Sequence, residues 1–344
     1  MGPPPVKAKD SMKSTWRTNR DVWWLPHYAI HFLGAHPTDL DKEVPVFPKT
    51  AKVPATDALS FNVWIILHAV WPMAIQYAYN TLTGKPISPL AAFLLYLMAM
   101  RVNALHEVAV LRRLGHQYGF LDGDKAPRDQ VPDSGVAKTL LSMQLTTAVR
   151  PLLATALEPS SFVTLTPWIA VEIILYPVVL DFFFYTYHRA CHEYDSLWKY
   201  HRTHHLSKHP SPVLSAFSDW QQELIEIALV PLLTYGTLKL VGLPITFHDW
   251  WICHEYIIFT EVLGHSGLRL FAYAPHPLSP VLDWFDCELS IEDHDLHHRV
   301  GWKKSHNYGK QTRVWDRLFG TCTGRIETAA SNIDWSQKVK IPLL

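Results

Sequence analysis

Long apolar stretches alternate along this chain with short polar ones. Ala58 to Tyr79 carries no Asp, Glu, Lys or Arg and is long enough to cross a hydrocarbon core of about 30 Å as a helix. Three more stretches follow: Pro89 to Leu111, interrupted by Arg101 and Glu107; Thr139 to Leu157, containing Arg150; and Phe162 to Tyr187, apolar apart from Glu172 and Asp181. Leu224 to Gly264 predicts two further segments hinged near Gly242 and Pro244. The second holds Asp249, His254, Glu255 and Glu261 and reads as a re-entrant or cavity-lining helix. Residues 1–57 are polar, proline-rich and basic and predict an extended, partly ordered tail, a reading favoured over contact of Trp23, Trp24 and Tyr28 with the headgroup layer. The pattern predicts an all-α, integral membrane helical bundle of four to six membrane segments. It divides into a tail (1–57), transmembrane helices (58–187) and a histidine-rich region (188–344) that includes a membrane hairpin at about 224–264.

Composition agrees with a membrane protein: 48% of the 344 residues are hydrophobic and 18% charged. The formal net charge of +0 argues against nucleic acid as a partner. Cys191, Cys253, Cys287 and Cys322 form no CxxC pair and read as free thiols in a reducing compartment. The N-terminus lacks the apolar run of a cleaved signal peptide, and Val6 departs from the myristoylation pattern, so targeting is expected from internal segments. Lys and Arg gather in the N-terminal tail, after Leu111, between His188 and Lys208, and after Arg299. The loops near Lys85, Pro159 and Gly242 are nearly uncharged. The positive-inside rule then predicts both termini and the histidine-rich segments on the cytosolic side.

Histidine is distributed unevenly: 14 of 20 lie between His188 and His306. His188 and His192 are four apart, which on a helix continuing from the fourth span puts them on one face. His201, His204 and His205 form HxxHH, whose spacing is expected to bring three imidazoles to one side of a second helix. The same spacing recurs at His294, His297 and His298. Imidazole suits iron, zinc and copper, and this many convergent rings exceed one tetrahedral zinc, so two metal ions are implied in a cytosolic cap. A hydrogen-bonded polar core is the competing explanation, and it would require a donor and an acceptor partner for every neutral ring. His254 and His276 read as packing residues, and His209, His248 and His306 carry no assignment.

The motifs HRACH, HRTHH, GHSG (Gly264 to Gly267), HDLHH and NYGKQTRVWDRLFGT (Asn307 to Thr321) resemble those of the fatty acid hydroxylase and sterol desaturase superfamily of integral-membrane, non-haem di-iron enzymes. The resemblance covers the C-terminal half in specific motifs. It implies that His188, His192, His201, His204, His205, His265, His294, His297 and His298 hold two Fe ions. Two positions depart from the pattern: Asp293 stands where relatives such as the sterol methyl oxidases tend to carry another histidine, and WQQE (Trp220 to Glu223) stands where many carry HPxE. A tenth ligand is therefore open. Asp293 would coordinate or orient an imidazole, and Glu261, one turn before His265, would do the same; an ordinary solvated or capping role competes for both. Asn307, Tyr308, Gly309, Trp315 and Asp316 are expected to hold the C-terminal segment against the metal cap.

The resemblance further implies an O2-dependent hydroxylase of a lipid, sterol or other hydrophobic metabolite in the endoplasmic reticulum membrane, with a desaturase using the same site as the alternative. The chain lacks GxGxxG and HPGG motifs, so electrons from NAD(P)H are expected through external cytochrome b5 and its reductase, docking near Arg299, Lys303 and Lys304. The substrate is expected to enter between Phe182–Tyr187 and the 224–264 hairpin, past aromatic residues such as Phe182, Phe183, Phe184, Trp250 and Trp251. From another class, a histidine-lined transporter would place its ligands near the bilayer midplane, and a membrane zinc hydrolase would leave five histidines without a purpose. A scaffold without activity is the third competitor.

Overall fold

The computed structural model describes residues 8–343. In chain order its helices are α1 (Leu25–Phe32), α2 (Ala58–Thr83), α3 (Pro89–Tyr118), α4 (Val136–Leu157), α5 (Ile169–Glu193), α6 (Asp195–His201), α7 (Trp220–Leu224), α8 (Val230–Leu240), α9 (Phe247–Gly264), α10 (Ser279–Trp284), α11 (Ile291–Arg299) and α12 (Val314–Phe319). A π-helical turn, Ile225–Leu229, joins α7 to α8. Two short strands, β1 (Val53–Thr56) and β2 (Ile333–Val339), pair in parallel and tie the C-terminal segment to the start of α2.

Four helices, α2 to α5, are long and apolar enough to cross a membrane. Local chemistry sets their ends. Asp57 accepts the Leu59 N–H at the start of α2, and Gly84 ends that helix in the left-handed region at φ 64°. Ser88 and Pro89 start α3. The outer face of α3 presents Leu90, Leu94, Met98 and Val102 at four-residue spacing, an apolar stripe suited to lipid chains. α5 runs unbroken from the fourth apolar stretch to Glu193, so its last turns carry His188 and His192, as the spacing predicts.

The 224–264 segment folds as α8 and α9, and α9 lines a cavity, as expected of its second half. α9 is buried on nearly every side and packs against α2, α3, α4 and α5, which makes it the central post of the bundle. Its polar residues face protein partners: Thr246 and Asp249 form a capping box, and Glu255 accepts from Asn103 Nδ2 at 2.9 Å. A helix with Asp249, Glu255 and Glu261 is tolerated here because protein, not lipid, surrounds it.

The N-terminal segment differs from an extended tail. Trp16 is 1% exposed and its indole N–H donates to the Val131 carbonyl at 2.9 Å, while Asp133 accepts the Trp16 N–H at 2.9 Å. Ile30 of α1 is buried in the main core and α1 lies against α4. Averaged polarity conceals a few spaced anchors: Trp16 and Ile30 bury enough apolar surface to dock an otherwise polar strap.

Candidate metal centre

Nine buried histidines converge in two groups. His188, His192, His201, His205 and His297 form one, and His204, His265, His294 and His298 the other, with the ring nitrogens in each group within 4.8 Å of one another. The rings come from the last turns of α5, from α6 and the 3-10 turn His204–Leu206 after it, from the C-terminus of α9, and from α11.

Neither HxxHH motif serves a single site. Successive residues on a helix are about 100° apart, so adjacent histidines diverge while those four apart align. His201 and His205 join the five-histidine group and His204 turns to the other; His294 and His298 join the four-histidine group and His297 turns away. The second box is also not one regular helix, since α6 ends at His201 and a 3-10 turn carries His204 and His205.

The nitrogen geometry fits a hydrogen-bonded polar core poorly. His205 Nε2 lies 3.1 Å from His192 Nε2, 2.9 Å from His201 Nε2 and 3.0 Å from His297 Nε2. A ring nitrogen offers one lone pair or one N–H, so it can satisfy one of these neighbours, not three. In the second group, His265 Nε2 lies 3.2 Å from His204 Nε2 and 3.0 Å from His294 Nε2. Imidazoles at right angles around an ion about 2.1 Å from each nitrogen would place neighbouring nitrogens ~3.0 Å apart. His188 Nε2 and His298 Nε2 are buried with no partner among the described residues. The donor set fits a cation at each group.

In five of the nine rings the opposite nitrogen is held by a backbone carbonyl at 3.2 Å or less, whereas Nδ1 of His201, His205 and His294 has no partner among the described residues. Nδ1–H of His188 donates to the Tyr308 carbonyl (2.7 Å), His192 to Lys303 (2.9 Å), His297 to His306 (2.6 Å), His265 to Glu261 (2.7 Å) and His298 to Ser207 (3.2 Å). This tautomer leaves each Nε2 lone pair free to point inward. Burial keeps the rings neutral: it holds His204 at about 3, with a further push from His265, and holds His265 at about 4. His205, His297 and His298 are likewise held well below the ordinary value by burial and by neighbouring imidazoles.

The 307–316 segment has the supporting role expected of it. Asn307, at φ 52°, donates from Nδ2 to the Asp293 carbonyl; Asp316 accepts the N–H groups of Tyr308 and Gly309; Trp315 donates to the Val178 carbonyl. This loop presents the Tyr308 carbonyl to His188.

The two carboxylates singled out in the sequence part ways. Asp293 belongs to neither histidine group. It caps α11 with Ser290 and pairs with Arg325 at 2.7 Å, which occupies the position where a further ligand was sought. Glu261 does border the site: its carboxylate pairs with Arg150 at 3.0 Å and with Lys310 at 3.5 Å, beside a small cavity faced by His204, His265 and His294. Three residues of this surround lie outside the sequence-derived set. Glu226, in the π-helical turn, pairs with Lys310 at 3.1 Å; Lys310 and Arg150 complete the charge cluster. Their signal was present: Glu226 is the one charged residue between Glu223 and Lys239.

Other expected surfaces move. Arg299 is not a surface docking residue, because Asp295 (2.8 Å) and Asp122 (3.3 Å) hold it inside, and Lys303 is paired with Asp195; Lys304 remains exposed. An apolar cavity of about 330 Å³ lies between α3, α4, the 212–216 turn and α9, apart from Phe182–Tyr187, of which Phe184 faces the small histidine-lined cavity. It shares Ser215 and Glu261 with the small histidine-faced cavity. Trp250 and Trp251 do not line it; their indoles donate to Tyr176 and to the Ala69 carbonyl. His254 and His276 are packing residues bonded to Tyr176 and to the Ile174 carbonyl.

Comparison with known proteins agrees with this site. The fatty acid hydroxylase family model matches residues 173–321, which hold all nine histidines. The chain is 41% identical to the fatty acid hydroxylase vlmA of Lecanicillium sp over 86% of each chain. It is 25% identical to a methylsterol monooxygenase of Arabidopsis thaliana, over 72% of this chain and 93% of the relative. It is 30% identical to a very-long-chain aldehyde decarbonylase of Oryza sativa subsp. indica, over 44% of this chain and about half (52%) of the relative. No solved structure matches. With apolar helices of membrane-spanning length and two histidine groups inside the matched region, the chain belongs to the fatty acid hydroxylase family.

Proposed function

We propose that this protein is an O2-dependent, non-haem di-iron hydroxylase acting on a lipid or similarly hydrophobic metabolite drawn from the membrane. The observation that carries the reading is the pair of buried all-nitrogen histidine groups next to an apolar cavity. Membership of a hydroxylase family supports an oxidoreductase of hydroxylase type, and relatives named hydroxylase and monooxygenase favour oxygen insertion over desaturation. His188, His192, His201, His205 and His297 would hold one iron, and His204, His265, His294 and His298 the other. When bound, such a metal pair supplies the reduction of O2 and the oxidation of an unactivated C–H bond.

The chain's own residues supply position, dryness and charge. Backbone carbonyls fix the imidazole tautomer in five of the rings. The 330 Å³ cavity would hold the alkyl part of the substrate, and Ser215 and Glu261 are the lining residues it shares with the histidine-faced cavity. Lys310, between Glu226 and Glu261, supplies a shared counter-charge to two buried carboxylates beside the four-histidine group. That group has one ring fewer than the other, and Asp293 does not join it, being committed to Arg325; its four histidines would hold the second metal beside the small cavity that His204, His265 and His294 face.

The overall balance is R–H + O2 + two electrons + two protons to R–OH + H2O. The electrons would come from NAD(P)H through a separate cytochrome b5 and its reductase. The protein would reside in the endoplasmic reticulum membrane, and the distribution of Lys and Arg supports an orientation with both termini and the histidine groups on the cytosolic side. The catalytic region would run from His188 onward, completed by α3 and α4 as cavity walls.

The test is turnover of iron-loaded protein in lipid nanodiscs with cytochrome b5, its reductase, NADPH and a fatty-acid panel under labelled O2. The expected product carries one oxygen atom from O2 per NADPH consumed. An unsaturated product without added oxygen, or product formation without O2, contradicts hydroxylation.

A further inference from the structure

The five-histidine group comes close to the surface through two tryptophans. Trp302, 37% exposed, meets Trp198 edge to face with ring centroids 5.2 Å apart. Trp198 is buried and packs in turn on three rings of that group, His192 at 5.2 Å, His205 at 5.7 Å and His201 at 6.2 Å. One intervening ring therefore separates an exposed indole from three of the candidate metal ligands. The 302–306 loop adds a bonded path, since the Lys303 and His306 carbonyls accept from Nδ1 of His192 and His297. A second aromatic chain, from Phe319 through Tyr185 and Tyr308 to His188, needs two intervening rings and starts beside exposed Leu318, on an apolar surface.

The surface around Trp302 is cationic. Lys208 Nζ stands 4.6 Å and the Arg202 guanidinium carbon 5.8 Å from the Trp302 ring centroid, within cation–π range. Lys199, next to Trp198, and Lys304, two residues after Trp302, are exposed. Among the described residues no carboxylate lies within ion-pair distance of Lys199, Lys208 or Lys304, whereas Arg202 is paired with Asp10 and Lys303 with Asp195. A polar cavity of about 410 Å³ lies beside the same loop, with His192, Lys303, Lys304 and His306 in its wall. An aromatic contact to buried histidines, ringed by cations without counter-charge, complements an acidic protein that carries a one-electron group near its own surface.

We propose that the Trp302 face is where an acidic electron-carrier protein docks, and that Trp302 and Trp198 conduct its electron inward to the five-histidine group. This rests on the hydroxylase reading in requiring a reducible iron there. In each transfer the donor is oxidised by one electron and one ferric iron is reduced to ferrous; no bond forms or breaks. None of the residues of this face lines the apolar cavity between α3, α4 and α9. Donor and substrate therefore occupy separate surfaces and can be bound at the same time.

The experiment mixes the reduced, soluble haem domain of cytochrome b5 with the iron-loaded full chain in nanodiscs, without O2 or substrate, and follows haem oxidation. The parent is compared with Trp302→Leu, Trp302→Phe and the double variant Lys199→Glu with Lys304→Glu; binding of the oxidised haem domain to each protein is measured alongside. Trp302→Leu is expected to slow haem oxidation at saturating donor by at least about tenfold, with metal content and reduction by dithionite unchanged. Trp302→Phe should fall between Trp302→Leu and the parent. The double charge reversal should weaken binding by at least about tenfold at low salt, a difference that shrinks as salt is added, and should leave the saturated rate alone. A saturated rate that survives Trp302→Leu makes Trp302 a packing residue and overturns the proposal. Binding indifferent to the charge reversal and to salt overturns it as well. If Trp302→Leu fails to fold, Trp302→Phe and the lysine variant carry the same comparisons. Dithionite keeps this separate from the hydroxylase reading: iron that dithionite reduces but that the haem domain reduces without regard to Trp302 sinks the proposal alone, whereas the absence of any reducible iron overturns both.

Discussion

His297 and His298 are adjacent in sequence, yet His297 Nε2 lies 3.0 Å from His205 Nε2 in one histidine group while His298 belongs to the other. The 100° step of α11 is what sends the two side chains apart. Replacing each separately should therefore remove different metals. His297→Ala and His298→Ala are each expected to lower metal content by about half, and the iron retained in the two variants should differ spectroscopically, for instance by Mössbauer parameters. Identical residual spectra would mean that the rings share one site.

Asp293 provides the contrasting case. It caps α11 through Ser290 and pairs with Arg325, so Asp293→Ala removes a cap and strands a cation. The expected cost is about 2–4 kcal/mol of stability, seen as a lower Tm, with metal stoichiometry retained in the folded fraction. Loss of one metal from well-folded Asp293→Asn would instead make this carboxylate a ligand.

Lys310 lies between Glu226 and Glu261 at 3.1 and 3.5 Å. Lys310→Met leaves both carboxylates without their shared cation and is expected to cost about 3 kcal/mol. Adding Glu226→Gln should recover part of that loss, because one unpaired charge disappears with it. A double variant no more stable than Lys310→Met would show that the two groups are not coupled.

Acid should destabilise the metal-free protein over a defined window. His204 and His265 are held at about 3 and about 4 in the fold, mainly by burial, whereas a histidine in the unfolded chain titrates near 6.5. As pH falls below about 6.5 the unfolded state takes up protons first, so stability is complete above that value and declines until the folded rings also protonate near 4 to 3. Denaturation midpoints of metal-free protein measured from pH 8 to 4 should fall below pH 6.5 and stay level above it. A midpoint that rises on acidification contradicts the neutral-ring assignment.

Much of this architecture is legible in the sequence because it rests on local periodicity. The charge-free run of α2, the continuation of the fourth apolar stretch into His188 and His192, and the HxxHH spacings are properties of a few turns of helix. What could not be read depends on non-local packing. The division of each box between two sites needs the direction from which α5 and α9 approach α11. The role of Glu226 needs a π-helical turn that re-aims one side chain. The docking of Trp16 needs the 131–133 loop as a partner, and the burial of Arg299 needs Asp295 one turn back and Asp122 from a distant loop. Asp293 is the instructive case: its place in the motif suggested metal, whereas its place at the start of α11 makes it a capping-box residue.

The proposed function requires two irons, one in each histidine group. Elemental analysis of the purified full chain, parent beside His204→Ala, tests it most directly. Close to two irons per chain are expected in the parent and a clear loss in the variant, with both proteins inserted in the membrane. A parent that retains a single zinc, or a His204→Ala variant with undiminished iron, would contradict it.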